Sequence, residues 1–149
     1  MTQTQIRARW TLYIWVPVMF LFLIVFVSGR GPEGYAGEST RHLIVACLFL
    51  VGFISYLTMI YRTRLRPGGP VKDERDQSIE WKSQRIAFVA VISFVYVISI
   101  LLWIFYEDRE FVPAGWLWFL GYATVFFGMI SSAVAALVLD SGTVVHGEG

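Results

Sequence analysis

Four long apolar stretches limit this chain to one kind of fold. Trp10 to Ser28, Leu43 to Tyr61, Ile86 to Tyr106 and Phe111 to Leu139 contain no Asp, Glu, Lys, Arg or His. A hydrocarbon core about 30 Å thick takes ~20 residues of helix at about 1.5 Å each, and all four stretches approach or exceed that length. Their apolarity is continuous, with neither the alternation of a barrel strand nor the single stripe of a surface helix, which points to helices surrounded by lipid and by one another. Of the 149 residues 56% are hydrophobic and 15% charged, against about 45 to 50% and about 25% in a soluble domain. A separate soluble catalytic domain has no room at this length.

The first stretch shares features with a signal peptide, because Arg7 and Arg9 precede an apolar run ending in Val27, Ser28 and Gly29. Its length, its Trp10, Trp15 and Pro17, and the lack of a small-x-small cleavage site make it a retained span. The expected fold class is an all-α membrane protein. It is a single domain over 1–149, a four-helix transmembrane bundle of two hairpins with spans near 10–28, 43–61, 86–106 and 113–139 and an inner loop over 62–85.

Basic residues in short loops are held on the cytoplasmic side. Arg7 and Arg9 lie at the amino end, and Arg62, Arg64, Arg66, Lys72, Arg75, Lys82 and Arg85 lie in or beside the middle loop, nine of the twelve basic residues. Arg30, Arg41 and Arg109 occupy the other two loops, among the acids Glu33, Glu38, Glu107, Asp108 and Glu110. Both termini are therefore expected in the cytoplasm. Trp10, Tyr13, Tyr61, Trp81, Trp103, Tyr106, Trp116 and Trp118 fall near span ends, where amphipathic rings prefer the headgroup layer.

Pro67-Gly68-Gly69-Pro70 must stop the second span. From Asp73 to Tyr106 no helix breaker intervenes, so one helix of ~51 Å is expected, with roughly 20 Å of it projecting beyond the bilayer. Asp73, Glu74 and Asp76 sit in its first turn, where negative charge offsets the helix dipole. Asp73, Asp76 and Glu80 also share one face at i, i+3 and i+7. Three carboxylates on a straight helix are too few to hold a cation such as Ca²⁺, which takes six to eight oxygens from a looped ligand set. The charged segment, with Asp73, Glu74, Arg75, Asp76, Glu80, Lys82 and Arg85, is the candidate surface for a partner or a cation. Trp81 and Arg85, four apart, can stack at the membrane surface.

The segment Asp73-Glu74-Arg75-Asp76-Gln77-Ser78-Ile79-Glu80-Trp81-Lys82-Ser83 resembles the D-E-R-D-x-x-I-x-x-K-A/S pattern ahead of a transmembrane hairpin in small prokaryotic membrane proteins of unknown function. The resemblance implies a bacterial or archaeal cytoplasmic (inner) membrane and supplies no catalytic residues.

Span four carries the clearest helix-packing face. Thr124, Gly128, Ser132 and Ala136 recur every fourth residue with Gly121 beside them, so another backbone can approach closely, within the subunit or across a dimer seam. Gly52, Ser55 and Thr58 of span two form a shorter counterpart. Span one holds mostly bulky residues and is expected at the periphery, facing lipid. Cys47 reads as a small packing residue.

Several function classes are excluded. A lone cysteine allows no intrachain disulfide and no Cys-pair redox or metal motif. A net charge of +1, with bases interleaved among acids, is not a nucleic-acid footprint. A proton-coupled exporter like the small multidrug resistance proteins matches in size, but needs a membrane-embedded carboxylate. His42 and His146 fall on opposite sides of the bilayer and cannot clamp one haem. Ser131 and Ser132 lack a base at their depth. No enzyme activity, cofactor or metal is expected. The leading reading is a non-enzymatic accessory, scaffold or regulatory subunit, with membrane lipid and either a second copy or a larger membrane complex as partners. The alternative is a small oligomeric transporter or channel.

Overall fold

The computed structural model describes residues 3–28, 31–35, 37–64, 74–109 and 111–145. The described chain is helical, with α1 Gln3–Val27, α2 Gly31–Tyr35, α3 Ser39–Arg64, α4 Glu74–Tyr106 and α5 Ala114–Val145. Four of these, all but α2, are long and apolar enough to cross a membrane. The 67–70 breaker, Asp73, Glu110 and His146 lie outside the described residues.

The single long helix expected before the last hairpin is present as the 33-residue α4. Glu74 and Asp76 occupy its first turn, where carboxylates complement the dipole. The connection after α1 contains a helical turn. Gly31 takes φ +61°, a backbone shape open to glycine at little cost, and Pro32 follows at the first helical position, where its missing N–H matters least. The resulting one-turn α2 delivers Tyr35 into the core at 0% exposure. The ends of α4 and α5 are tied across their turn, since Trp116 Nε1 donates to the Tyr106 hydroxyl at 2.9 Å.

α1 and α3 form one hairpin and α4 and α5 the other. The two are joined chiefly by α1 on α5, giving the order α3, α1, α5, α4. This overturns the expectation that span one lies at the periphery. α1 buries Ala8, Thr11, Trp15, Phe22 and Phe26, which recur at helical spacing along one stripe. Around them runs a column of rings. Trp15 lies 5.7 Å from Phe126, Phe126 5.3 Å from Phe22, Phe22 5.7 Å from Phe26 and Phe26 5.0 Å from Tyr35. Bulk was read as lipid-facing because close backbone approach needs small residues. Here the rings fill the gap between helices that stay further apart.

The small residues serve more locally. A Cβ on Gly52 would meet Val18 at 3.3 Å and Trp15 at 3.5 Å, so α3 approaches α1 there, while Ser55 and Thr58 are exposed. Span two is thus no counterpart to the α5 stripe. Cys47 is also exposed rather than packed. Three hydroxyls in the spans are satisfied within their own helices. Thr58, Ser99 and Thr124 donate to the carbonyls of Ile54, Val95 and Leu120 at 2.8, 2.7 and 2.6 Å, which removes the need for an acceptor in lipid.

Gly115 and Gly121 provide a matched test of packing. A Cβ on Gly115 would fall on the carbonyl oxygen of Pro32, whereas one on Gly121 meets nothing within 4 Å. Gly115→Ala should destabilise the fold by about 1 to 3 kcal/mol as α2 is pushed off α5, and Gly121→Ala should cost nothing. Equilibrium unfolding in mixed micelles would show the contrast.

Candidate functional site

Four helix ends meet where both described termini and the residues flanking 65–73 come together. At this terminal end Gln3 Nε2 donates to the Thr63 carbonyl at 3.2 Å, and Thr4 Oγ1 donates to Asp76 Oδ1 at 3.0 Å. Arg75 pairs with Asp140 at 3.5 Å, the acid being only 1% exposed. α4 packs here through Asp76, Ile79, Ser83 and Ala87, and Ile79 clusters with Ala8, Ala133 and Ala136. The first turns of α4 are therefore not a free-standing stalk, because α1 and α5 extend alongside them.

Between these ends lies a cavity of about 180 Å³, whose polar lining includes Arg7, Thr11, Tyr56, Glu80, Gln84 and Ser132. Thr11 and Ser83 donate to the carbonyls of Arg7 and Glu80 at 2.9 and 2.8 Å, so each hydroxyl oxygen still has a lone pair for a guest. Arg7 Nε is buried without a hydrogen-bond partner among the described residues. Beyond Thr11, Tyr56 and Met129 the space meets the aromatic column, with Trp15 6.2 Å from Tyr56.

The charged segment is divided by its helix. Asp76 is buried and Glu80 lines the cavity, whereas Glu74, Arg75, Lys82 and Arg85 are exposed. The small-residue stripe on α5 is divided too. Ala136 is buried, Ser132 faces the cavity, and a Cβ on Gly128 would touch Val91 of α4 at 3.3 Å. Thr124 is half-buried and Gly121 is open. The cation–aromatic contact is Arg109 over Tyr106 at 5.1 Å, not Trp81 with Arg85. Sequence reasoning treated Arg7 as a topology signal and passed over Tyr56 and Gln84. Their only sequence mark is polarity at the margins of apolar runs.

At the other end His42 sits between the rings of Tyr35 and Trp118, at 4.4 and 5.2 Å. The Tyr35 hydroxyl is buried without a partner among the described residues. Burial, and then Tyr122, push its pKa above the ordinary tyrosine value, against a lowering pull from Arg41. Among the described residues no three of His, Cys, Asp and Glu stand together as a metal set.

A family model described as "Predicted membrane protein (DUF2178)" matches residues 8–140. The chain belongs to this family. With its four apolar helices it is a multi-pass membrane protein. The match takes in α3 and α4 whole, most of α1 and α5, and the cavity lining apart from Gln3, Thr4 and Arg7. No curated protein and no solved structure matches the chain.

Two measurements test these ends. Asp140→Ala strips a buried acid from its base. A fully buried pair loses about 3 to 5 kcal/mol in this way; with Arg75 half-exposed, a loss of about 1 to 3 kcal/mol is expected. Glu33→Ala, which breaks the exposed pair with Arg109 at 3.0 Å, should cost no more than about 1 kcal/mol. Faster amide exchange at residues 74–87 would locate the first effect. For Tyr35 the folded state favours the neutral phenol. Its contribution is full below about pH 10 and is lost as pH rises through the raised value. Tyr35→Phe should therefore shrink the alkaline loss of stability and leave stability at neutral pH equal or higher, because a buried unpartnered hydroxyl is gone.

Proposed function

We propose that this chain is a non-enzymatic accessory, scaffold or regulatory subunit that works by helix packing, in the cytoplasmic membrane of a prokaryote, with both termini in the cytoplasm. The observation that carries this reading is the outward side of α4. Its inward stripe meets α5, while Ile92, Tyr96 and Ile100 are exposed on the opposite side. Tyr96 lies at the centre of the apolar run from Ile86 to Tyr106 and is 67% exposed. At about 1.5 Å per residue the phenol is ~15 Å from either headgroup layer, further than a tyrosine side chain reaches. A hydroxyl in hydrocarbon with no partner costs roughly 2 to 7 kcal/mol. A second copy related by a two-fold axis along the membrane normal brings Tyr96 to the same residue of its mate, and each phenol both donates and accepts. The exposed Glu74, Lys82 and Arg85 then form a charged collar for a further partner.

The alternative, a small oligomeric transporter or channel, draws on the polar cavity. That cavity borders Tyr56, whose ring lies 6.2 Å from Trp15, so a transport path continued along the bundle would have to part the aromatic core. This weighs toward the subunit reading.

Energy transfer between donor- and acceptor-labelled copies in liposomes tests the proposal. Tyr96→Phe should weaken association by roughly three- to fifteenfold, matching the ~0.6 to 1.7 kcal/mol of interhelical hydrogen bonds in membranes. Reversing Lys82 and Arg85 should leave pairing intact and reduce co-purification of other subunits. A pure protein that stays monomeric and moves a solute across liposomes would overturn this reading.

A further inference from the structure

The terminal-end cavity is a pocket of mixed charge set among the helix ends. Arg7 supplies a guanidinium whose buried Nε has no acceptor among the described residues, and Glu80 on α4 supplies a carboxylate to the same space. Tyr56, Gln84 and Ser132 add neutral donors. At about 180 Å³ the space corresponds to about six waters. It is therefore large enough for one small polar group and too small for acyl chains. α3 and α4 both line it, through Tyr56, Met59 and Ile60 on one side and Glu80, Ser83 and Gln84 on the other, yet among the described residues the two helices do not form one of the closely packed pairs.

We infer that this cavity binds the headgroup of a zwitterionic phospholipid bearing a primary ammonium, its phosphate on Arg7 and its ammonium toward Glu80. A guanidinium presents a planar fork of N–H donors that matches two phosphate oxygens, and charge-assisted bonds of this kind are the strong ones. A phosphate alone would set its charge beside Glu80. A group that carries its own cation answers both charges of the lining, and a carboxylate has acceptor capacity for it beyond the contacts it makes within the chain. The unpacked side between α3 and α4 admits the headgroup laterally while the chains remain in the bilayer. The inference stands apart from the α4 pairing reading, because Tyr96 lies on a different face and a deeper level.

Native mass spectrometry of the full-length protein, released from nanodiscs of equal phosphatidylethanolamine, phosphatidylglycerol and phosphatidylcholine, tests it. The wild-type protein should retain phosphatidylethanolamine above the other two, since a quaternary ammonium cannot donate to Glu80. Arg7→Gln should lower that retention about tenfold, the worth of one charge-assisted hydrogen bond. Glu80→Gln should abolish discrimination against phosphatidylcholine while phosphate binding persists. Ser132→Leu fills the cavity without changing a charge and should exclude the headgroup in a protein whose thermal unfolding is unchanged, which separates binding from folding. Equal retention of all three lipids, or retention unaffected by both Arg7→Gln and Ser132→Leu, would overturn the inference. Preference for phosphatidylglycerol would remove the role given to Glu80, and displacement by inorganic phosphate alone would remove the lipid.

Discussion

The column of rings along α1 is the interaction on which the rest of this structure depends. In lipid there is no hydrophobic force to drive helices together, because hydrocarbon is as apolar as the helix surface. Association rests on dispersion and on the geometry of contact. Trp15, Phe22 and Phe26 project from one stripe of α1 and meet Phe49 of α3, Phe119 and Phe126 of α5 and Tyr35 of α2. Each tilted or stacked pair adds about 0.5 to 1.5 kcal/mol beyond the area it covers. The first helix is thereby the central one, and the two hairpins are joined through it rather than through their loops.

That arrangement also decides where polar groups can go. The rings fill the middle of the bundle, and the polar residues at the terminal end line a cavity beside them. Elsewhere in the spans Thr58, Ser99 and Thr124 turn their hydroxyls back onto carbonyls of their own helices. Tyr96 has no such option, because a phenol is too long and rigid to reach its own backbone, and its position at mid-span keeps it from water. The same rule, that a polar group in hydrocarbon must find a partner, thus accounts for the silent threonines and singles out one tyrosine.

The ends of the bundle are held differently. At the terminal end the ties are polar and partly buried, through Thr4 with Asp76 and Arg75 with Asp140. At the loop end an exposed pair, Arg109 with Glu33, joins the two hairpins over a core of Tyr35, His42 and Trp118. The buried acids make the terminal end the one more sensitive to substitution, since removing one member of a desolvated pair leaves its partner stranded.

Four spans, the hairpin pairing and the unbroken α4 were legible in the amino-acid sequence because length, apolarity and helix breakers act locally, within a turn or two of the residue that carries them. Which helix lies at the centre was not legible. In a helix apolar all round, no periodic contrast marks the stripe that faces protein rather than lipid, so Trp15 and Phe22 read the same as the exposed Phe20. The fate of the charged segment was hidden for the same reason. Asp76 and Glu80 share a face that spacing reveals, but only the extension of α1 and α5 beside α4 turns that face inward and leaves Lys82 and Arg85 outside. Local chemistry determines what must lie in the membrane; the meeting of helix surfaces distant in the chain determines what those surfaces enclose.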